Sequence, residues 1–155
     1  MKKLISMIAA AVLLLSTSSL AANSKDVNEK VRAAFTKNFS MATGVNWKEK
    51  DDFYFASFTI GEVETEAAYN EEGGLVATSR KIDLAQLPLA LSLELYEKYS
   101  GCTIVSQVTE TAYEGQTKYY ITVSNHRYVL NLKGTANGQI DVESKVKIKT
   151  QPAVF

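Results

Sequence analysis

Apolar positions recur every three or four residues in two segments of the chain and every second residue in much of the rest. Val27, Val31, Ala34, Phe35 and Phe39 form one stripe along 24–39, with Lys, Arg, Asn and Glu between them. That is the pattern of a surface helix resting one face on a core. Ser24 is the residue type expected to cap it, and Asp26 suits the positive end of the helix dipole. Segment 88–100 carries Leu91, Leu95 and Tyr99 on one stripe and Leu89, Leu93 and Tyr96 beside it. Pro88 favours a first helical turn there, and Gly101 suits the left-handed residue that ends a helix. The wider apolar face predicts that this second helix is the more deeply buried of the two.

Short strand-like runs follow each helix, at 44–49, 52–60, 62–69 and 75–82 and then at 103–113, 117–124, 127–133 and 139–148. In the second run Tyr54, Ala56, Phe58 and Ile60 share one side, and Phe53, Phe55, Ser57 and Thr59 share the other. Tyr119, Ile121 and Val123 oppose Tyr120, Thr122 and Ser124, while Ile140, Val142, Val146 and Ile148 oppose Asp141, Glu143, Lys145 and Lys147. Alternation of this kind marks antiparallel strands with one covered face. Asn70-Glu71-Glu72-Gly73-Gly74 and Asn137-Gly138 are the turn signals, since Asn and Gly tolerate positive φ.

The helix-then-strands order occurs twice, with matching landmarks. Phe39-Ser40 answers Tyr99-Ser100, Tyr54-x-Ala56-x-Phe58 answers Tyr119-x-Ile121-x-Val123, and Gly74 and Gly138 each open a fourth strand. The spacing predicts an α+β fold of two tandem helix-plus-four-stranded antiparallel units, repeat one over 24–83 and repeat two over 84–150. With only two prolines and no flexible linker, the two copies are expected to form one sheet with helices on one face, in a single domain over 22–150. Residues 151–155 would be a short tail.

The first 21 residues read as an export signal. Lys2-Lys3 precedes an apolar run from Leu4 to Leu15, and Ser19 and Ala21 suit the small-residue positions of a cleavage site. The run is short of the ~20 residues that span a bilayer, so the expectation is an exported protein, periplasmic or secreted, without stable membrane insertion. Loss of Lys2 and Lys3 leaves 15 basic against 17 acidic residues. That balance gives no electrostatic pull towards nucleic acid.

Val45-x-Trp47, Tyr54-x-Ala56-x-Phe58 and Ala68-Tyr69-Asn70-Glu71-Glu72-Gly73 resemble motifs of the PepSY-like, β-lactamase-inhibitor-like proteins exported by Bacteroides-type bacteria. The likeness continues through Ile82, Leu87-Pro88, Tyr99-Ser100-Gly101 and Thr103-Ile104, and the second copy carries Gln107 where the first has Trp47. The resemblance implies helices on one side and an open, gently curved sheet on the other. In the β-lactamase inhibitor, that open face and a hairpin grip the enzyme.

Chemistry-bearing residues are sparse. The single cysteine, Cys102, and the single histidine, His126, do not make up the usual zinc ligand sets. No glycine-rich phosphate loop, G-x-S-x-G or H-E-x-x-H occurs. Glu62, Glu64 and Glu66 fall on one side of a strand and read as a solvated face. The sequence therefore assigns no catalytic, cofactor-binding or metal-ligating residue. If Tyr54 and Phe58 face a helix, then Phe53, Phe55 and Tyr120 point the other way, with Arg127 near them. Such a face could be a contact surface or be covered by the tail or a second molecule, or one bulge could reverse the facing. The expectation is a non-enzymatic exported protein that binds a protein or peptide through Phe53, Phe55, Tyr120 and Arg127. The alternative is an inhibitor of an exported hydrolase, a peptidase or a β-lactamase.

Overall fold

The structure is a computed structural model and describes residues 27–148. The export signal, Ser24, Asp26 and the tail at 151–155 lie outside the described residues. Among the described residues two α-helices, α1 (Glu29–Asn38) and α2 (Leu89–Lys98), accompany nine strands. These are β1 (Thr43–Lys50), β2 (Phe53–Ile60), β3 (Val63–Asn70), β4 (Leu75–Asp83), β5 (Thr103–Ile104), β6 (Gln107–Tyr113), β7 (Gln116–Ser124), β8 (Tyr128–Thr135) and β9 (Ile140–Lys147). A 3₁₀ turn, Leu84–Gln86, precedes α2.

This architecture corrects the expected two tandem helix-plus-four-stranded units. The strands belong to one nine-stranded antiparallel sheet in the order β1-β2-β3-β4-β6-β7-β8-β9, with β5 paired to β7. The helices are short, ten residues each. The expected run 103–113 breaks at Val105-Ser106, where the Val105 amide bonds the Thr122 carbonyl and the Ser106 carbonyl accepts from Leu84. Nor do the compact units follow the repeat. One comprises the described residues up to Lys81 together with Thr111–Gln116, and the other comprises Ile82–Glu110 with the described residues from Thr117 onward.

In the first unit α1 is capped by Asn28, whose side chain accepts from the Lys30 amide at 2.9 Å and donates to the Glu71 carbonyl at 3.0 Å. The helix thus starts later than its apolar stripe, because Asn28 satisfies a free amide of the first turn. Gly73, at φ +80°, lets the β3–β4 turn pass beneath α1. A Cβ there would come within 2.8 Å of the Lys30 carbonyl oxygen. The core below α1 is aromatic. The Phe35 ring lies 5.1 Å from Trp47 and 5.0 Å from Phe58, both edge-on, and 5.5 Å from Phe39. Tyr69 closes the cluster and accepts a hydrogen bond from Asn38 at 3.2 Å. Edge-to-face rings in a dry site add stabilisation beyond the area they bury.

The second unit buries Leu91 and Leu95 of α2 against Ile121, Val123, Leu130 and Leu132. Cys102 is half-buried at the edge of this core, and the Asn125 side-chain amide lies 3.9 Å from its sulfur. The second apolar stripe of α2 is not buried. Leu89, Leu93 and Tyr96 are 75%, 62% and 54% exposed, because they sit on the side of the helix opposite Leu91 and Leu95. The expected deep burial of this helix is therefore corrected to burial of one stripe only.

The alternation expected along 139–148 is also interrupted. Asn131 pairs with Ser144 and Leu132 with Val142, leaving Glu143 as the extra residue of a bulge. Val142 stays on the Leu132 side, but beyond the bulge Lys145 takes the place opposite core residue Leu130, and Val146 crosses to the other face. A bulge and inward-facing lysines on a terminal strand are known means of discouraging edge-to-edge pairing.

These packing differences make unequal predictions for neighbouring leucines. Leu95→Ala should lose about 2–5 kcal/mol, and Phe35→Ala about 3–5 kcal/mol, in urea unfolding at neutral pH. Leu93→Ala, on the exposed ridge, should stay within about 0.5 kcal/mol of the parent. A large loss at Leu93, or none at Leu95, would contradict this assignment of the helix face.

Candidate interaction site

β2 is buried on both faces. Tyr54, Ala56 and Phe58 point into the aromatic core under α1, and Phe55 points away from it yet is only 4% exposed. Its cover comes from small neighbours and two further rings. Cross-strand pairing places Lys48, Phe55, Ala68 and Ala77 in one row, so the two alanines leave a trough beside the Phe55 ring. Phe53 and Tyr113 pack on this cluster while keeping part of their own surface in solvent.

Tyr113 ends β6, and the following Glu114-Gly115 turn leads directly into β7. Both turn residues have positive φ, +48° and +72°, as a tight two-residue hairpin requires. The Tyr113 hydroxyl donates to a Glu114 carboxylate oxygen at 3.0 Å. Residues 75–78 of β4, Ala112 and Tyr113 of β6 and Glu114-Gly115 of this turn line an open cleft of about 430 Å³. Two residues before Tyr113, on the same strand face, the buried Thr111 hydroxyl finds no hydrogen-bond partner among the described residues.

The adjacent row on the same sheet face is polar: Asn46, Ser57, Glu66 and Ser79. Ser57 donates to Glu66 at 3.4 Å. Burial holds the Glu66 carboxyl above the ordinary glutamate range, against the opposing influence of the Ser57 hydrogen bond and the Lys81 and Lys48 charges. Glu62 and Glu64 are exposed, in keeping with the solvated face expected of them, but Glu66 is half-buried.

The expected contact residues divide between the compact units. Phe53 and Phe55 share the cluster just described. Tyr120 and Arg127 belong to the second unit. There Tyr120 is half-buried, paired across to Lys133, and its phenol is pushed up by burial and by the Glu143 carboxylate. Arg127 lies before β8 in an exposed turn, with its Nε donating to His126 Nε2 at 3.0 Å. It sits beyond the Ser124–Val129 end of the β7–β8 ladder, away from Tyr120. Tyr113, Glu114 and the exposed ridge of α2 are the features that alternation did not single out. The Glu-Gly dipeptide between two strand-like runs was the available signal for the hairpin.

Among the described residues, no three His, Cys, Asp or Glu side chains cluster in a way that could hold a metal, and no helix is long and apolar enough to cross a membrane. No protein-family profile and no curated protein matches the chain. Solved structures do. A provisionally periplasmic protein from Bacteroides eggerthii superimposes with a TM-score of 0.66 at 20% identity, covering 79% of this chain and 89% of its own. A BLIP-like protein from Bacteroides fragilis gives 0.63 at 18%, covering 83% and 91%. The chain has a BLIP-like fold. A DUF2874 family protein from Bacteroides uniformis shares it, with a TM-score of 0.64 at 20% identity over 77% of this chain and 88% of its own. At these identities the BLIP-like likeness is one of architecture.

The state of Glu66 gives a test of how dry this face is. A carboxyl raised on folding binds its proton more tightly in the folded protein than in the unfolded chain. Its ionisation therefore costs stability as pH rises towards and through the folded value, and the cost disappears below the usual glutamate value of about 4.3. Glu66→Gln should then be more stable than the parent at pH 7 and show little advantage at pH 4 in urea unfolding. Equal stability at pH 7 would mean that the Ser57 and lysine interactions offset burial in full.

Proposed function

We propose that this is a non-enzymatic exported protein, periplasmic or secreted, that binds a protein or peptide through the sheet face of its first unit turned away from α1. The observation that carries this reading is the Phe53–Phe55–Tyr113 cluster beside an open cleft. Phe55 forms the buried floor, Phe53 and Tyr113 the half-exposed rim, and the cleft gives a partner side chain somewhere to go. A buried aromatic centre with a partly wet rim is the anatomy of a contact surface. Tyr120 and Arg127 lie outside this cluster and have no part in the proposed surface. Export follows from the charged, apolar and small-residue order of the first 21 residues, and the B. eggerthii protein of the same fold is described as periplasmic. The PepSY-like assignment rests on the Val45-x-Trp47 and Tyr54-x-Ala56-x-Phe58 motifs.

Inhibition of an exported hydrolase is the second reading. It is favoured by the BLIP-like name of the B. fragilis structure. Fold analogy of this kind names a surface without naming its target.

The test is capture of a partner from a periplasmic extract by the immobilised mature chain. Phe53→Lys places a charge on the rim and leaves the Phe55 side chain itself in place, so capture should fall at least about tenfold, the loss typical of an interface anchor. The melting temperature should move by no more than a few degrees, as for a surface change of about 1 kcal/mol or less. Undiminished capture by the folded variant would move the contact surface elsewhere.

A further inference from the structure

The cleft beside Tyr113 has a chemistry that the general reading of a binding face does not specify. Of the residues that enclose it, Glu114 alone carries a charge, and that charge is negative. The walls are otherwise Leu75, Val76 and Ala77 of β4, Ala112 and the Tyr113 ring, with the Thr78 hydroxyl and the bare backbone of Gly115 completing them. We infer that this cleft takes a basic side chain, with an arginine of the partner as its best fit, the aliphatic stem lying along the apolar wall and the guanidinium meeting Glu114 beside Tyr113.

Six features support this. An apolar wall with one charged group at its rim matches a side chain whose stem is apolar and whose head is charged, and the sign at Glu114 selects a cation. An aromatic ring next to a carboxylate suits guanidinium, which stacks on the ring and gives two parallel N–H donors to the acid. The Tyr113 hydroxyl already holds one Glu114 oxygen at 3.0 Å, so the carboxylate is oriented before any ligand arrives and less freedom is lost on binding. A Cβ built on Gly115 would meet nothing within 4 Å, so the turn side of the cleft stands open to an entering side chain. The volume, about 430 Å³, is at the low end of small-molecule sites and is ample for one long side chain. Glu114 also stands at φ +48°, where Asn or Gly is easier to accommodate. The turn thus keeps a carboxylate at a position whose backbone does not favour it.

This inference rests on the proposed contact face, but its test needs no partner. The mature protein is titrated with Nα-acetyl-arginine methylamide and, separately, with its neutral isostere Nα-acetyl-citrulline methylamide, while backbone amide chemical shifts are followed. The arginine probe should perturb residues 75–78 and 112–115 and saturate at millimolar concentration, the range expected for one side chain. The citrulline probe should bind about tenfold or more weakly, and Glu114→Gln should weaken the arginine probe to a similar degree, as loss of a charge-assisted pair requires. Glu114 is exposed in a turn, and an unchanged spectrum elsewhere verifies the fold of the variant. No perturbation by the arginine probe, equal binding of citrulline, or an unaltered response in Glu114→Gln would each overturn the inference. The two readings fail separately. Lost arginine binding with Phe53-dependent capture intact removes the cleft assignment and leaves the face. Arginine binding with Phe53-independent capture does the reverse.

Discussion

Strands β2 and β3 lie between two apolar layers, and the first unit depends on that arrangement. On one side the Phe35, Trp47, Phe58 and Tyr69 rings fill the space under α1. On the other, Phe55 is buried with Phe53 and Tyr113 packed around it. Alanines make this possible. Ala56 and Ala67 face the first layer, and Ala68 and Ala77 face the second. Each leaves room for a neighbouring ring, and larger side chains at these positions would overpack the strands. Burial of both faces also explains the consecutive buried residues Tyr54, Phe55 and Ala56 in a strand that opens with four apolar residues in a row.

Much of this was legible from local pattern. The stripe containing Val31 and Phe35 located the buried face of α1. Alternation put Tyr54, Ala56 and Phe58 together on one side of β2 without deciding which side faced α1, and Asn-Gly chemistry placed the β3–β4 and β8–β9 turns. The illegible parts depended on residues far away in the chain. Nothing near Phe55 indicates that Tyr113 will help cover it, because that follows from the β6–β7 turn joining the first compact unit. The repeat, read as two tandem units, misplaced that segment for the same reason. Leu89, Leu93 and Tyr96 failed differently. A helix with two apolar stripes does not declare which stripe the sheet will take, and here Leu91 and Leu95 were taken. The bulge at Glu143 illustrates the limit of period-two reasoning, since one extra residue re-aims every side chain after it.

For the candidate site, the sequence reading identified Phe53 and Phe55 but assigned them one role. The structure separates them into rim and floor. It also sets Tyr120 and Arg127 apart from each other, because Tyr120 pairs with Lys133 within the β7–β8 ladder while Arg127 lies in the turn beyond its Ser124–Val129 end, and neither belongs to the Phe53–Phe55–Tyr113 cluster. The missing contributors, Tyr113 and Glu114, occupy a hairpin tip, where side chains can be presented to a partner while the strands hold the backbone in place. The raised Glu66 carboxyl in the next row is consistent with a face that already sheds part of its water before any partner arrives.

The central claim is that partners meet the first unit at the rim formed by Phe53 and Tyr113. Site-specific photocrosslinking tests it most directly. Benzoylphenylalanine is placed singly at positions 53, 113 and 93 in the full-length chain, and adducts are compared after irradiation of cells producing it. The account predicts one shared adduct from positions 53 and 113 and none from 93, on the exposed ridge of α2. An adduct from position 93 with none from 53 or 113 would contradict it and make that ridge the contact surface.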